Sequence, residues 1–320
     1  MKLFPTPLFL ALTLISTSLS VSAADSLTWS GSVTAEREHD SSVGLDQVDD
    51  VSRESDYSKQ LKAALGMKWQ ATKNWQLATS LQGKNKVYDQ FSEYDLNQQH
   101  LTLSTKYSYA GTGYSYRFDG VKAKIDGDDF LNFSQSSLAI DRLIDSEVYL
   151  RASISANKKD YIELDDRDAK ATVVGLDSMM FSNNGSSHVS LNVSLENETA
   201  QVELFDNNTI NLNSAFQHKF KQAYFPTTFV TGVRFSRKTY ENFDIESAND
   251  NGGFLTGWQP QEVIIENRVD MRLQWMASLD IELTEWLGLL IKTSYVDNDS
   301  NYEAVVYEEQ VTSLGLSARF

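Results

Sequence analysis

Several stretches of the sequence alternate apolar and polar residues. Lysines and arginines recur at the polar positions of these stretches. Basic side chains aligned on one polar face create a positive potential that attracts anions, most strongly in a narrow low-dielectric passage. The side chains predicted to line such an interior are Lys62, Lys68, Arg117, Arg151, Arg234, Arg268, Arg272, Lys292 and Arg319. An equally supported alternative is that they pair with interior acids or loop residues and fill the passage.

Acidic residues are predicted mainly in the connectors between these stretches. Glu36, Asp270 and Asp280 are the acids expected on the inward parity, where bases look more numerous. Acid clusters such as 126–129 offer oxygen ligands suited to calcium. Their spacing completes no known calcium loop, so a solvated acidic rim is the better interpretation.

Spacings that would support catalysis are missing from the sequence. The histidines, His39, His100, His188 and His218, do not stand at metal-ligand spacings, and the sequence has neither a nucleophile elbow nor a glycine-rich phosphate loop. The absence of cysteine excludes disulfides, thiol catalysis and a cysteine-linked lipid anchor. We therefore expect no enzymatic activity, no metal and no cofactor.

The elements that would position these side chains are amphipathic strands. The clearest one is 269–281, where Val, Met, Leu and Trp alternate with Asp, Arg and Gln. About fourteen such stretches, within a range of 12–16, can be recognised in the chain. Most approach the roughly 9–11 residues with which a tilted strand crosses a bilayer. The predicted fold is all-β, a closed antiparallel transmembrane barrel.

Connector length alternates along the chain. The tight connectors are 71–74, 110–113, 141–146, 182–186, 221–226 and 282–285. The longer connectors are 40–56, 89–97, 119–129, 157–167, 196–208 and 240–263, with 296–301 as a short exception. Short periplasmic turns and long outer loops are typical of bacterial outer-membrane barrels.

Aromatic residues cluster beside the tight turns. Amphipathic rings collect at the level of lipid headgroups, so these residues are predicted to form one rim of an aromatic girdle. The predicted girdle consists of Trp69, Trp75, Tyr107, Tyr109, Tyr114, Tyr116 and Trp286. The simpler alternative, the general enrichment of aromatics in strands, explains their presence but not their clustering.

The two ends of the chain support export to the cell envelope. Residues 1–23 have the charge, apolar core and small residues of a signal peptide, which leaves 24–320 as a single barrel domain. Leu314, Leu316, Ala318 and Phe320 form one apolar parity of the last strand. This strand resembles the terminal signal that the barrel assembly machinery recognises, although any amphipathic strand has the same alternation.

Two segments support a closer resemblance. One contains Arg117, Asp119 and 127–131; the other spans 159–161 and 167–169. Together they resemble the C-terminal barrel of surface lipoprotein assembly modifiers and of related barrels behind tetratricopeptide repeats. The resemblance implies a similar strand number and a role in moving or displaying partner proteins. Here the predicted signal peptide leads directly into the first strand, without a repeat domain.

These observations predict an integral protein of the bacterial outer membrane. The principal expectation is a porin-like channel with passive passage through a polar lumen. The alternatives are a conduit for protein export or surface display, and a structural or adhesive barrel acting through its outer loops. Expected partners are outer-membrane lipid, the assembly machinery, and small solutes or an exported protein. Removing Lys2 with the signal peptide changes the net charge from -16 to -17, which argues against nucleic acid.

Overall fold

Fourteen strands form a closed antiparallel barrel in the computed structural model. The structure describes residues 27–45, 50–145, 147–182, 185–221, 223–247 and 264–320. The predicted fold class is confirmed by this architecture. The predicted signal peptide and the middle of the predicted 240–263 loop lie outside the described residues.

The barrel contains all but two of the strands. Its members are β1 (Leu27–Asp40), β4 (Asp56–Gln70), β5 (Trp75–Tyr88), β6 (Leu96–Tyr109), β7 (Thr112–Ile125), β8 (Asp128–Ile144), β9 (Val148–Tyr161), β10 (Ala169–Phe181), β11 (Ser187–Ala200), β12 (Asn207–Phe220), β13 (Thr227–Ser247), β14 (Ile264–Glu282), β15 (Leu287–Ser300) and β16 (Tyr307–Arg319). A small ribbon in the first connector consists of β2 (Gly44–Leu45) and β3 (Asp50–Val51). Among the described residues, no helix is long and apolar enough to cross a membrane.

Pairing of the first and last strands closes the sheet. β1 is antiparallel to β16, with Glu36 opposite Gly315 and Asp40 opposite Val311. At the other end of this seam, Gly31 and Phe320 exchange two backbone hydrogen bonds of 2.9 and 3.0 Å. Closure gives the edge strands partners, which a sheet in hydrocarbon requires because lipid offers no hydrogen bonds.

One face of the barrel wall carries exposed apolar side chains. Trp29, Leu81, Leu138 and Leu176 are examples, with 56–61% of their surface exposed. They belong to different strands but share the parity predicted to face lipid. A continuous apolar belt of this size is stable against lipid and unfavourable against water. We call this side the exterior face and the opposite side the interior face.

The strands continue further than the apolar alternation predicted. The predicted connector 119–129 is mostly strand, because β7 and β8 meet at a two-residue turn in which Asp126 and Gly127 have φ of 49° and 88°. The predicted connectors 157–167 and 196–208 shrink in the same way. Above the apolar belt the exterior side chains are polar, although the backbone hydrogen bonds between the strands continue. The apolar alternation therefore ends before the strand does.

Several outer connectors share one local design. Asp95 and Asp168 accept the backbone N–H of Tyr88 and Tyr161 at 2.8 and 2.6 Å, and Asp206 closes a third connector similarly. Each of these aspartates follows a single 3-10 turn. The backbone groups freed at the strand end are therefore satisfied inside compact connectors rather than in extended loops.

An ion pair ties the outer end of β1 to the connector after β5. The Arg37 guanidinium hydrogen-bonds to the Asp89 carboxylate and holds the pKa of that carboxyl below its usual range. The Lys59 ammonium lies 3.7 Å from the same carboxylate. Because Asp89 stays ionised down to lower pH than a free aspartate, this tether persists in mildly acidic surroundings.

Candidate functional site

The interior face of the barrel is the candidate site. Directly opposite residues of paired strands share a face, and Glu36, Gln60 and Lys86 are opposite one another across β1, β4 and β5. A cavity of about 490 Å³ lies against this face. It is lined by Glu36 and by Lys84 of β5, and also by Gln274 of β14, so the wall encloses it from several directions.

The pairing register places eight of the predicted lumen bases on the interior face. They are Lys62, Lys68, Arg117, Arg151, Arg234, Arg272, Lys292 and Arg319. The ninth, Arg268, lies opposite a bulge in β13 and is treated separately below. Basic groups from many strands are therefore brought onto one concave wall.

The interior face also carries many acids that were not among the predicted inward residues. They are Glu38, Asp40, Asp119, Asp141, Asp177, Glu196 and Glu198. Most of these acids lie in segments predicted as connectors, so they were not assigned to either face of a strand. The register places further lysines on this face as well, among them Lys86, Lys106 and Lys159, so the wall carries both signs of charge.

Interior ion pairs commonly join strands that are two positions apart. The Lys106 Nζ of β6 lies 2.7 Å from the Asp141 Oδ2 of β8 and passes over Gly113 of β7. A Cβ added at Gly113 would lie only 2.6 Å from both the lysine Cε and the carboxylate. Lys219 and Glu282 join β12 to β14 in the same way at 2.8 Å. We call such a pair a strap.

Straps recur around the barrel. Lys159 of β9 reaches Glu198 of β11 at 2.5 Å, above Ala171, which is buried beneath the pair. Arg319 of β16 pairs with Asp280 of β14 across β15. Each strap needs a small side chain on the strand between, and it runs along the wall instead of across the lumen. Of the predicted lumen bases, Arg319 takes part in such a strap, and the pair runs along the wall without bridging the interior.

Glu36 is the centre of a branched cluster at the seam between β1 and β16. Its carboxylate lies 3.2 Å from Lys62 Nζ of β4 and 2.7 Å from Lys292 Nζ of β15. It also accepts a hydrogen bond of 3.2 Å from the Ser313 hydroxyl of β16. Its side chain leans over Gly315, where a Cβ would lie 2.6 Å from the glutamate Cγ. One acid thus connects four strands around the closure.

A row of polar side chains crosses the wall from β13 to β10. Arg234 Nε donates to Asn213 Oδ1 at 2.7 Å, Asn213 Nδ2 donates to Asn192 Oδ1 at 2.9 Å, and Asn192 Nδ2 donates to Asp177 Oδ1 at 2.7 Å. Arg151 continues the row opposite Asp177 on β9. These residues line a cavity of about 390 Å³. Sequence alternation placed both arginines inward but gave no sign of the asparagine link, which depends on register.

Arg268 departs from the predicted lumen-lining role. Its surface is 1% exposed, and its Nη2 lies 2.8 Å from Asp270 Oδ2. The guanidinium lies 4.5 Å from the ring centre of Tyr240 and 5.2 Å from those of Phe243 and Tyr302. Cation–π contacts and the ion pair hold this charge buried within the wall rather than exposed at its surface.

The predicted girdle residues are brought to the turn-proximal end of the exterior. Trp69, Trp75, Tyr109, Tyr114, Tyr116 and Trp286 are exposed, and Tyr107 is half-buried. The Trp75 and Tyr107 rings lie 5.1 Å apart on neighbouring strands. Leu314, Leu316, Ala318 and Phe320 of the predicted assembly signal also share the exterior parity.

Residues of the proposed lipoprotein-modifier resemblance have local structural contacts. Arg117 and Asp119 form an ion pair of 2.6 Å, and Asp119 also accepts hydrogen bonds from Thr102 and contacts His100. Asp168 belongs to the connector design described above. Arg117, Asp119 and Asp168 thus have partners within this barrel.

The histidines lie in different surroundings: His100 is on the interior face beside Asp119, and His218 is on the exterior face. Among the described residues, no group of three or more His, Cys, Asp or Glu side chains could hold a metal ion. His218 shares the exterior parity with Phe216 and Phe220 and contacts both rings at 6.4 and 4.3 Å. Its environment is therefore lipid-facing.

No family model matches the chain, and no curated protein matches it in sequence. Its fold is similar to the anion-selective porin from Comamonas acidovorans, with a TM-score of 0.51 and 8% identity over 92% of this chain and 99% of that chain. OmpF of Salmonella typhi in complex with daunomycin is also similar, with a TM-score of 0.49 and 12% identity over 92% and 97% of the chains. At these identities the similarity concerns the fold alone.

The architecture also determines where such a chain is stable. A closed barrel satisfies its backbone without water, and its apolar exterior belt requires lipid. Membrane barrels of this kind, with an even number of antiparallel strands, are those of bacterial outer membranes. The closed barrel, with its similarity in fold to the Comamonas porin, therefore makes this chain an integral β-barrel protein of the bacterial outer membrane.

Proposed function

We propose that the protein is a porin-like channel that gives small polar solutes passive passage. The observation that carries this proposal is the arrangement of interior charges in straps along the wall. Charged and amide groups on a concave surface remain favourable when water hydrates them, and water filling the interior provides this hydration. Straps across the lumen would have closed such a path.

Small interior side chains support the same function. Ser30, Gly66, Ser80 and Thr102 are opposite one another in a row across β1, β4, β5 and β6. Such residues occupy little of the interior and offer hydroxyl groups to water. The wall therefore combines low bulk with polarity, as passage of hydrated solutes requires.

Planar-bilayer recording of the purified full-length protein tests the proposal. We expect discrete conductance steps, with weak ion selectivity because both signs of charge line the wall. A silent, inserted barrel would contradict passive passage and favour the structural or adhesive alternative. Co-purification of an exported lipoprotein with a silent barrel would instead favour the export conduit.

Arg234→Gln provides a sharper test because the Arg234 side chain is exposed at the interior. Its removal should lower the chloride-to-potassium permeability ratio by about twofold, since a wall charge acts directly on ions in a narrow passage. Arg142→Gln is the matched control, because Arg142 lies on the exterior parity opposite Leu150. Reversal potentials in a salt gradient measure both variants, and equal shifts would remove Arg234 from the permeation path.

A further inference from the structure

Two lysines are directly opposite each other on the exterior face of neighbouring strands. Lys158 of β9 pairs in register with Lys170 of β10. Like charges at directly opposite positions repel and are unfavourable unless an anion lies between them. Lys158 is 2.7 Å from Asp160, whereas Lys170 has no acidic side chain within 4.0 Å among the described residues. The pair therefore retains an excess positive charge.

Hydrogen-bonding groups surround this pair. A shallow cavity of about 510 Å³ on the outside of the wall is lined by Lys158, Lys170, Ser134, Thr172 and Thr199. Hydroxyl and ammonium donors converging on one concavity are suited to an anion with several acceptor oxygens. The exterior of an otherwise strongly acidic protein thus has a local site suited to binding a phosphate group.

An apolar wall lies directly below the cavity, towards the membrane centre. Leu138, Ile154, Val174 and Leu195 occupy the corresponding exterior positions of β8 to β11, each with more than half of its surface exposed. They are suited to acyl chains. Polar donors immediately above an apolar surface match a molecule that carries phosphate at one end and hydrocarbon at the other.

The geometry points to a binding site for the phosphate group of an outer-leaflet lipid on the exterior of β8 to β11. The site lies at the strand ends opposite the two termini, and an even strand number with short turns places the termini in the periplasm. Basic clusters at the membrane surface bind anionic headgroups by the same electrostatics. A lipid is favoured over free phosphate because the apolar wall continues beneath the donors.

Native mass spectrometry of the detergent-solubilised barrel with added lipid A, a phosphorylated glycolipid, tests this site. Lys158→Gln with Lys170→Gln should weaken lipid A binding by about tenfold or more, because each surface lysine contributes on the order of a fivefold attraction. Lys122→Gln with Lys124→Gln is the control. It removes equal charge from β7, where Asp129 already lies 3.0 and 2.9 Å from the two ammonium groups.

Further binding measurements show which part of the lipid the site recognises. Lipid A lacking its phosphates should bind as weakly to the native protein as lipid A binds to the double variant. Inorganic phosphate at millimolar concentration should not displace lipid A, since it lacks acyl chains. Equal binding by both double variants, or full displacement by inorganic phosphate, would overturn the proposal. Migration as a folded barrel on unheated gels establishes that each variant is assembled.

Discussion

Gly113 shows how a single residue permits an interior charge pair. The Lys106–Asp141 strap passes over it, and the position has no space for a Cβ. Sequence alternation alone would accept any small polar residue at this interior position. The constraint comes from two side chains on other strands, so it is invisible until the strands are paired.

Gly113→Val should destabilise the folded barrel by about 1–3 kcal/mol, the usual cost of inserting bulk where neighbours must move. The added carbons would displace the carboxylate and the lysine stem of the strap. Urea unfolding in lipid vesicles, followed by tryptophan fluorescence, measures the change. Gly83→Val is the control, since nothing lies within 4 Å of a Cβ there, and it should change stability by less than about 0.5 kcal/mol.

At the scale of an element, β16 pairs with β1 through a contact between an aromatic ring and a glycine. Phe320 is the last residue, and its ring covers Gly31 of β1, so that a Cβ at Gly31 would overlap the ring. Covering a glycine with an aromatic ring from the neighbouring strand stabilises the pairing and fixes its register. The sequence predicted an aromatic end facing lipid, and the structure adds the glycine that receives it.

Phe320→Ala should reduce the fraction of barrels that assemble in vesicles and lower the stability of assembled ones by about 1 kcal/mol. The physical reason is the loss of the contact between the Phe320 ring and Gly31 at the closing seam. Band shifts on unheated gels measure assembly. Phe220→Ala removes a similar exterior ring away from the seam. An equal effect of both variants would show that apolar area alone matters.

At the scale of the whole molecule, Glu36 links the strands that close the barrel. The β1–β16 seam joins the two ends of the chain, and its register covers only part of each strand. The glutamate supplements this ladder by binding Lys62 and Lys292 from the strands on either side of the seam. Such a hub opposes separation of the two terminal strands.

Glu36→Gln should therefore destabilise the barrel by roughly 1–3 kcal/mol, because two interior lysines lose their acid. This is below the loss typical of a fully buried pair, since both lysine side chains are more than a third exposed. Glu285→Gln in an exposed turn is the control and should be neutral. If urea midpoints of the two variants coincide, Glu36 has no special part in closure.

Prediction from sequence succeeded where the determinant is local. Alternation with period two, as in 269–281, identifies a strand and its two faces without any knowledge of neighbours. It failed at 119–129 and 196–208, where polar exterior residues extend strands above the belt. It also missed interior acids such as Asp141, because residues assigned to a turn were given no face.

The amino-acid sequence by itself determined the fold class, the number of crossings to within one hairpin, and the parity of the strands it identified, since these follow from side-chain alternation. Only the tertiary structure decided which charges meet. Glu36 and Lys292 are 256 positions apart, and their contact exists because the sheet closes. A side chain's face is a local property, whereas its partner depends on register, and register is settled by all strands together.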